Sequence, residues 1–180
     1  MNRPRRALST EHVTAAAAIL SVALSAIAVL VTLHIAYVQD RATETQNQYS
    51  RALSYAGIYF SDQVSEARDM VDAVYLADYD TIRQSASPND EVANLLTSNR
   101  EQLAFDKLLA MYEQIAACSN TGVCSSDVTG QLYGRDIQAI YKNWYGYIVT
   151  RRVRTGSADY GCHVARYLHR DFPEPKCPVK

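Results

Sequence analysis

The sequence predicts an all-α protein in which an N-terminal transmembrane helix precedes an antiparallel bundle of four or five helices. Three observations predict it. A run of 26 residues, Val13 to Val38, contains no Asp, Glu, Lys or Arg. Beyond that run, apolar side chains recur at three- and four-residue steps, the period of one helical face. No segment of useful length alternates apolar with polar residues as a half-buried strand does. A chain of 180 residues has room for one anchor and one domain of ordinary size. The parts are an N-terminal tail at residues 1–12, the anchor at 13–38, a helical domain at 39–172 and a C-terminal tail at 173–180.

The anchor comes first in the chain. At 1.5 Å per residue its 26 residues reach roughly 39 Å, more than the hydrocarbon core of about 30 Å. Twelve of them are Val, Ile or Leu, which together favour insertion by roughly 4–7 kcal/mol. A signal peptide competes with this reading, because Arg3, Arg5 and Arg6 form an n-region and Ala23-Leu24-Ser25-Ala26 offers small residues for cleavage. Signal h-regions span only about 7–15 residues, and this run is longer, so the anchor is expected to stay uncleaved. Tyr37, with His34 one turn before it, sits where an interfacial side chain belongs. The arginines before the span keep that end in the cytoplasm and send the bulk of the chain outside. Ala17, Ser21, Ser25, Ala28 and Thr32 recur at helical spacing; they could seat a second transmembrane helix or simply fill a lipid-facing span.

All four cysteines, Cys118, Cys124, Cys162 and Cys177, follow the anchor. An even set beyond a membrane span suits an oxidising compartment. Three connectivities are open, and the sequence-local one joins Cys118 to Cys124 and Cys162 to Cys177. Zinc is the rival, but the Cys118–Cys124 spacing exceeds the usual two to four intervening residues. Four reduced thiols in a cytoplasmic domain are the other alternative.

The helical domain opens with Tyr49, Leu53, Ala56, Phe60, Val64, Ala67, Val71 and Val74, one apolar stripe on one helix. With no proline between Pro4 and Pro88, the anchor can run on into it. Asp62, Glu66 and Asp69 fall on the opposite face and read as solvated, since no histidine is near to share acid–base work. The pattern weakens from Asp78 to Ala86. Ser87 as N-cap and Pro88 at the first helical position open a short helix through Val92, Leu95 and Leu96. Ser98-Asn99-Arg100-Glu101 is a capping box, and its helix buries Phe105, Leu108, Leu109, Tyr112, Ile115 and Ala116 before ending at Asn120-Thr121-Gly122. A further helix starts at Ser125 or Ser126, presents Leu132, Tyr133, Ile137, Ile140, Tyr141, Trp144 and Ile148, and stops at Gly156. Within it Gly130 and Gly134, four residues apart, either allow close backbone approach or are tolerated weaknesses of about 1 kcal/mol each. A final helix starts at Ser157, buries Val164 and Leu168, and halts at Pro173.

Thirteen tyrosines against three phenylalanines suit a thin core whose side chains are apolar at one end and wet at the other, or else a binding surface. Trp144-Tyr145-Gly146-Tyr147 is the candidate exposed aromatic patch, so Trp144, Tyr145 and Tyr147 with Arg151, Arg152 and Arg154 form the candidate interaction surface. Charge is divided: Asp40 to Asp127 holds 14 acidic and 6 basic residues, a balance of −8, and Val128 to Lys180 holds 9 basic and 4 acidic, a balance of +5. Such halves are expected to attract each other within one fold; anionic headgroups or nucleic acid would be the outside partners. Aromatics interleaved with arginines can stack on bases, but outside the cytoplasm no nucleic acid partner is expected.

The segment from Leu108 to Arg152 carries Tyr112-Glu113-Gln114-Ile115-Ala116, Gly122, Leu132-Tyr133-Gly134-Arg135, Tyr141, Trp144, Ile148 and Arg151-Arg152. It resembles the helical core of a group of uncharacterised bacterial membrane-anchored proteins, a domain-of-unknown-function group with an N-terminal membrane segment. The resemblance implies a membrane-bound helical fold and supplies no catalytic residues; the expected location is the bacterial inner membrane. The cysteines that bracket Gly122 depart from it. Some groups of this kind are suspected of roles in phage exclusion.

Function is constrained mainly by what the residues do not offer. A hydrolase needs a nucleophile beside a base, and a metal enzyme needs clustered His and carboxylate. Only His163 and His169 lie beyond the anchor, six residues apart and off the four-residue spacing that seats two ligands on one helical face. No catalytic residue, no metal and no cofactor are expected. The expected function is a non-enzymatic interaction module that docks to a membrane or envelope protein or to a second copy of itself, with the lipid bilayer as constant partner. An accessory sensor, a phage-exclusion protein and an enzyme of unrecognised type are the alternatives.

Overall fold

The structure, a computed structural model, describes residues 10–170 and 176–178; expectations that fall on Arg3, Arg5, Arg6 and Pro173, or on the side chains of His12 and Ala17, lie outside the described residues. Among the described residues all regular structure is helical. The chain divides into two units, Met1–Thr45 and Gln46–Lys180.

In the first unit, no proline or glycine falls within α1 (Thr10–Tyr59) up to Thr45, and the run from Val13 to Val38 carries no Asp, Glu, Lys or Arg. Its apolar side chains stand outward: Ile19 is 71% exposed and Leu30 66%. It is the one helix among the described residues long and apolar enough to cross a membrane. Ser21, Ser25, Ala28 and Thr32 are exposed too. The Thr32 hydroxyl donates to the Ala28 carbonyl at 2.8 Å, so it adds no unsatisfied donor to apolar surroundings.

In the second unit, the stripe expected on one helix is cut in two. Helix α1 ends at Tyr59, and α2 (Asp62–Ala77) begins after Ser61, whose ψ of 149° is extended. Ser61 closes one helix and opens the next. Its hydroxyl donates to the Ile58 carbonyl at 2.7 Å, while its own carbonyl accepts from Val64 and Ser65 N–H at 3.1 and 3.0 Å. Asp62 in the first turn of α2 suits the positive end of that helix. Ala52 and Tyr59 are therefore buried from α1 and Ala67 and Val71 from α2, whereas Phe60 is left 74% exposed.

Two short helices follow, α3 (Tyr79–Gln84), in the stretch where periodicity fades, and α4 (Pro88–Ala93), with Pro88 at its start as expected. The capping box forms at α5 (Asn99–Asn120): the Ser98 hydroxyl accepts from Glu101 N–H at 3.2 Å, and the Glu101 carboxylate accepts from Ser98 N–H at 2.9 Å. Helix α6 (Ser126–Thr155) starts from Ser125, is kinked at Trp144 (φ −110°, ψ 15°), and stops at Gly156 in the left-handed region that glycine tolerates. Helix α7 (Cys162–Tyr167) starts later than Ser157. The cause is tertiary: the Glu113 carboxylate accepts from His163 and Val164 N–H at 3.1 and 2.8 Å, capping α7 from α5.

Helix α4 packs on α6, α2 on α5, and α5 on both α6 and α7. Phe105, Leu109, Ile115, Ile137, Ile148 and Val164 form the centre with 1% exposure or less. The close backbone approach is at Gly146, where a Cβ would lie 1.9 Å from the Asn89 carbonyl oxygen of α4. At Gly130 and Gly134 a Cβ would meet only the Tyr167 hydroxyl, at 3.5 Å in each case. The cysteines stand paired as Cys118–Cys124 and Cys162–Cys177, with Cα atoms 5.1 and 5.6 Å apart.

Candidate functional site

The expected surface of Trp144, Tyr145, Tyr147, Arg151, Arg152 and Arg154 does not exist as one patch. Trp144, Tyr147 and Arg152 are 2%, 3% and 0% exposed. Helical spacing is the reason, since Tyr133, Ile137, Ile140, Trp144, Tyr147 and Ile148 share the buried side of α6. Trp144 meets Phe105 at 5.2 Å between ring centroids and Tyr75 at 5.7 Å, and Tyr147 meets Phe105 at 4.9 Å. Arg152 continues this buried side. Its Nη1 donates to the Tyr160 carbonyl at 2.6 Å and lies 3.0 Å from Cys162 Sγ. Burial lowers its pKa, and Asp159 and Glu113 oppose that shift. Arg151 pairs with Asp106 at 2.9 Å, and the Tyr160 hydroxyl donates to the same carboxylate. This cluster ties α5, α6 and the turn before α7 together, and it joins the acidic first half of the domain to its basic second half. Tyr145 stays half-buried and Arg154 exposed.

The other side of α6 carries a different constellation. Gln138, Tyr141, Lys142 and Tyr145 follow one another at helical spacing and, with Asn89, Leu168 and Arg170, line a groove of about 520 Å³. That size lies in the range of ligand-binding clefts. The Tyr141 and Tyr145 rings are 5.5 Å apart at 64°. Lys142 and Arg170 are exposed, and no carboxylate is among the described lining residues. Gly146 sets the groove's width, because only a residue without Cβ lets Asn89 come so close to α6. Sequence reasoning placed Tyr141 on the apolar face, Tyr145 in the candidate interaction surface and Leu168 on the buried side of the last helix, and missed Asn89, Gln138, Lys142 and Arg170. The signal was present in the spacing of residues 138, 141, 142 and 145.

A second, smaller recess of about 100 Å³ is lined by Arg68, Asp72, Tyr112, Asp136, Asn143 and Trp144, among others. The Arg68 guanidinium lies over the Tyr59 ring, 4.2 Å from its centroid, a cation–π contact worth about 1 kcal/mol. The Tyr59 hydroxyl donates to Asp136, and burial, reinforced by Asp136, pushes the phenol up to about 12. Asp72 is raised by burial, and Arg68 opposes the shift. Arg68 Nε and Nη2 are buried with no hydrogen-bond partner. The recess is roomy and polar enough to admit water. Among the described residues no group of three or more His, Cys, Asp or Glu could hold a metal ion.

These features define a class: helical proteins in which a long apolar N-terminal helix is followed by several helices packed on one another, with disulfide-paired cysteines. Within it, this chain belongs to the family described as "Domain of unknown function (DUF4760)", whose match covers residues 15–166. No curated protein and no solved structure matches the chain.

Proposed function

We propose that this protein is a membrane-anchored, non-enzymatic interaction module of the bacterial envelope, held in the inner membrane by α1 with its N-terminus in the cytoplasm, and that it docks to a membrane or envelope partner. The outward-facing apolar surface of α1 from Ile19 to Val38 carries this reading. Its large side chains there stand about half exposed or more. In water so continuous an apolar surface would far exceed the few hundred Å² that monomers expose, whereas a bilayer covers it at no such cost. Three observations support the rest: arginines before the span, cysteines paired in the second unit, and a groove of binding-site size on that unit.

Alkaline phosphatase fused at the C-terminus, combined with thiol labelling under non-reducing conditions, tests the placement. Active phosphatase and blocked thiols are expected; an inactive fusion or freely alkylated cysteines overturn it. Crosslinking in intact membranes tests docking, and recovery of monomer alone counts against it. A sensor is the second reading, favoured by the charged recess beside Arg68. In that case a small ligand occupies the recess and a partner carries the signal.

A further inference from the structure

We propose that the recess between α2, α5 and α6 binds a small zwitterionic α-amino acid of glycine or alanine size; this deepens the sensor reading above and rests on it. Helical spacing assembles the site. Arg68 and Asp72 lie one turn apart on α2, Asp136, Ile140, Asn143 and Trp144 share one side of α6, and Tyr112 comes from α5.

The guanidinium carries the argument. Nε and Nη2 of Arg68 are the side-on fork that grips a carboxylate by two parallel hydrogen bonds, and both are buried with no hydrogen-bond partner. Charged donors left unpaired in this way destabilise a fold. Arg151, by contrast, is paired with Asp106 at 2.9 Å. Arg68 forms no such pair with Asp72 or Asp136, the two carboxylates that share its recess. A cation and two carboxylates held apart around one space call for a ligand that carries both signs. A simple carboxylate would fill the fork and meet two like charges, and a simple amine would face the guanidinium. An α-amino acid sets its carboxylate on the fork and its ammonium against Asp136 and Asp72. Asp136 Oδ2 accepts from the Tyr59 hydroxyl, which orients the group and leaves Oδ1 to take the ammonium. The Asn143 amide donates and accepts, so it can serve either end.

Volume sets the size of the ligand. A cavity of about 150 Å³ takes benzene, whereas this recess holds about 100 Å³, room for glycine or alanine and not for a branched side chain. Tyr112, Ile140 and Trp144 are buried and give it an apolar floor for a methyl group, while Asp72 is exposed at its rim. Both atoms of the fork are covered in the free chain, so binding shifts the guanidinium across the Tyr59 ring, over which it lies at 4.2 Å. Cation–π attraction fixes the distance to the ring and no hydrogen-bond direction, so it permits that movement.

Trp144 is the one tryptophan of the chain, so its fluorescence reports this recess. The test titrates the full chain in detergent with glycine, L-alanine, L-leucine, propionate and ethylamine, following that emission and the melting temperature. Glycine and L-alanine are expected to change the emission saturably and to raise the melting temperature. L-Leucine, propionate and ethylamine are expected to bind at least tenfold more weakly, the first for want of room and the others because they leave a polar partner unpaired. Arg68→Lys keeps the charge and removes the fork, and it should weaken L-alanine binding at least tenfold, as should Asp136→Asn. Asp72→Asn, at the exposed rim, should cost at least fivefold with unchanged melting temperature, which keeps the test decisive if the other two variants fail to fold. Asp69→Asn, exposed on α2 and outside the recess, should leave affinity unaltered.

L-Alanine that binds no better than propionate or ethylamine, or equally well to folded Arg68→Lys or Asp72→Asn, overturns the proposal. Binding of propionate or ethylamine alone, lost in Arg68→Lys, removes the amino acid and leaves the sensor reading with another ligand. No saturable response to any of the five compounds leaves the recess to water and overturns the proposal. Crosslinking in intact membranes with and without L-alanine separates the site from the reading beneath it. A change in the captured partners supports both, whereas alanine binding that leaves them unchanged keeps the site and removes the sensor.

Discussion

Glu113 shows how one half-buried residue can serve as a helix cap and a pH-dependent element together. Its carboxylate takes two backbone N–H bonds at the start of α7, which favour the charged form, yet burial is the larger effect and its pKa is raised. The folded state therefore binds that proton more tightly than the unfolded chain does. The resulting stability is fully present below the ordinary glutamate range and is lost as pH rises through the raised folded value. Glu113→Gln removes the ionisation and keeps one carbonyl acceptor, as the protonated acid does, so at low pH the two should differ by no more than about 1 kcal/mol. Urea denaturation in detergent between pH 4 and 8 should show the native chain losing stability to the variant as pH rises. The difference should change by no more than about 1.4 kcal/mol per pH unit, the limit for a single proton. A difference that stays flat would show that the amide bonds balance burial, and one that moves the other way that they outweigh it.

Helix ends were legible where local chemistry sets them and illegible where a neighbour does. The Ser98–Glu101 box, Pro88 at the start of α4 and Gly156 at the end of α6 all act within a few residues of themselves, and each stands where the sequence put it. The break at Ser61 carries neither proline nor glycine, and α7 is positioned by Glu113, fifty residues away. The surface failed for a related reason. Trp144 and Arg152 lie on the same side of α6 as Ile137 and Ile148, and an aromatic–arginine pattern does not reveal which side the bundle will cover. Gly146 was equally opaque, since its necessity arises only once α4 docks. Two alanine substitutions expose the difference between a glycine that a neighbour requires and one that nothing requires. Gly146→Ala would push a Cβ into the Asn89 backbone and should destabilise by about 1–3 kcal/mol, the usual cost of overpacking. Gly57→Ala, within α1 and with nothing inside 4 Å, should stabilise by about 0.5–1 kcal/mol, the helix-propensity difference. Thermal unfolding of both variants in detergent checks the pair, and like signs would defeat the distinction.

For the whole molecule the two cysteine pairs do unequal work, and their surroundings say which matters more. Chain entropy alone ranks them: a closed loop of 15 residues stabilises by about 3 kcal/mol and one of 6 by about 2 kcal/mol. Local bonding widens the gap. The Cys118–Cys124 turn is already held by Val123 and Cys124 N–H donating to the Cys118 carbonyl at 3.0 Å. It is held again by α1, where Gln48 Nε2 donates to the Gly122 carbonyl and the Gln48 carbonyl accepts from Ser125 N–H. Residues 176–178, by contrast, are fastened through Cys177 and through Arg166, which donates to the Pro178 carbonyl. Cys162 is also buried, with Arg152 Nη1 against its sulfur, so losing that pair disturbs the cluster joining α5, α6 and α7. Cys162→Ala with Cys177→Ala should therefore cost at least about 3 kcal/mol, and Cys118→Ala with Cys124→Ala about 2 kcal/mol or less. Denaturation of the two double variants beside the native chain, with and without dithiothreitol, measures both values. If the shorter loop proves the costlier one to open, the bonds around Gly122 depend on the disulfide rather than substituting for it.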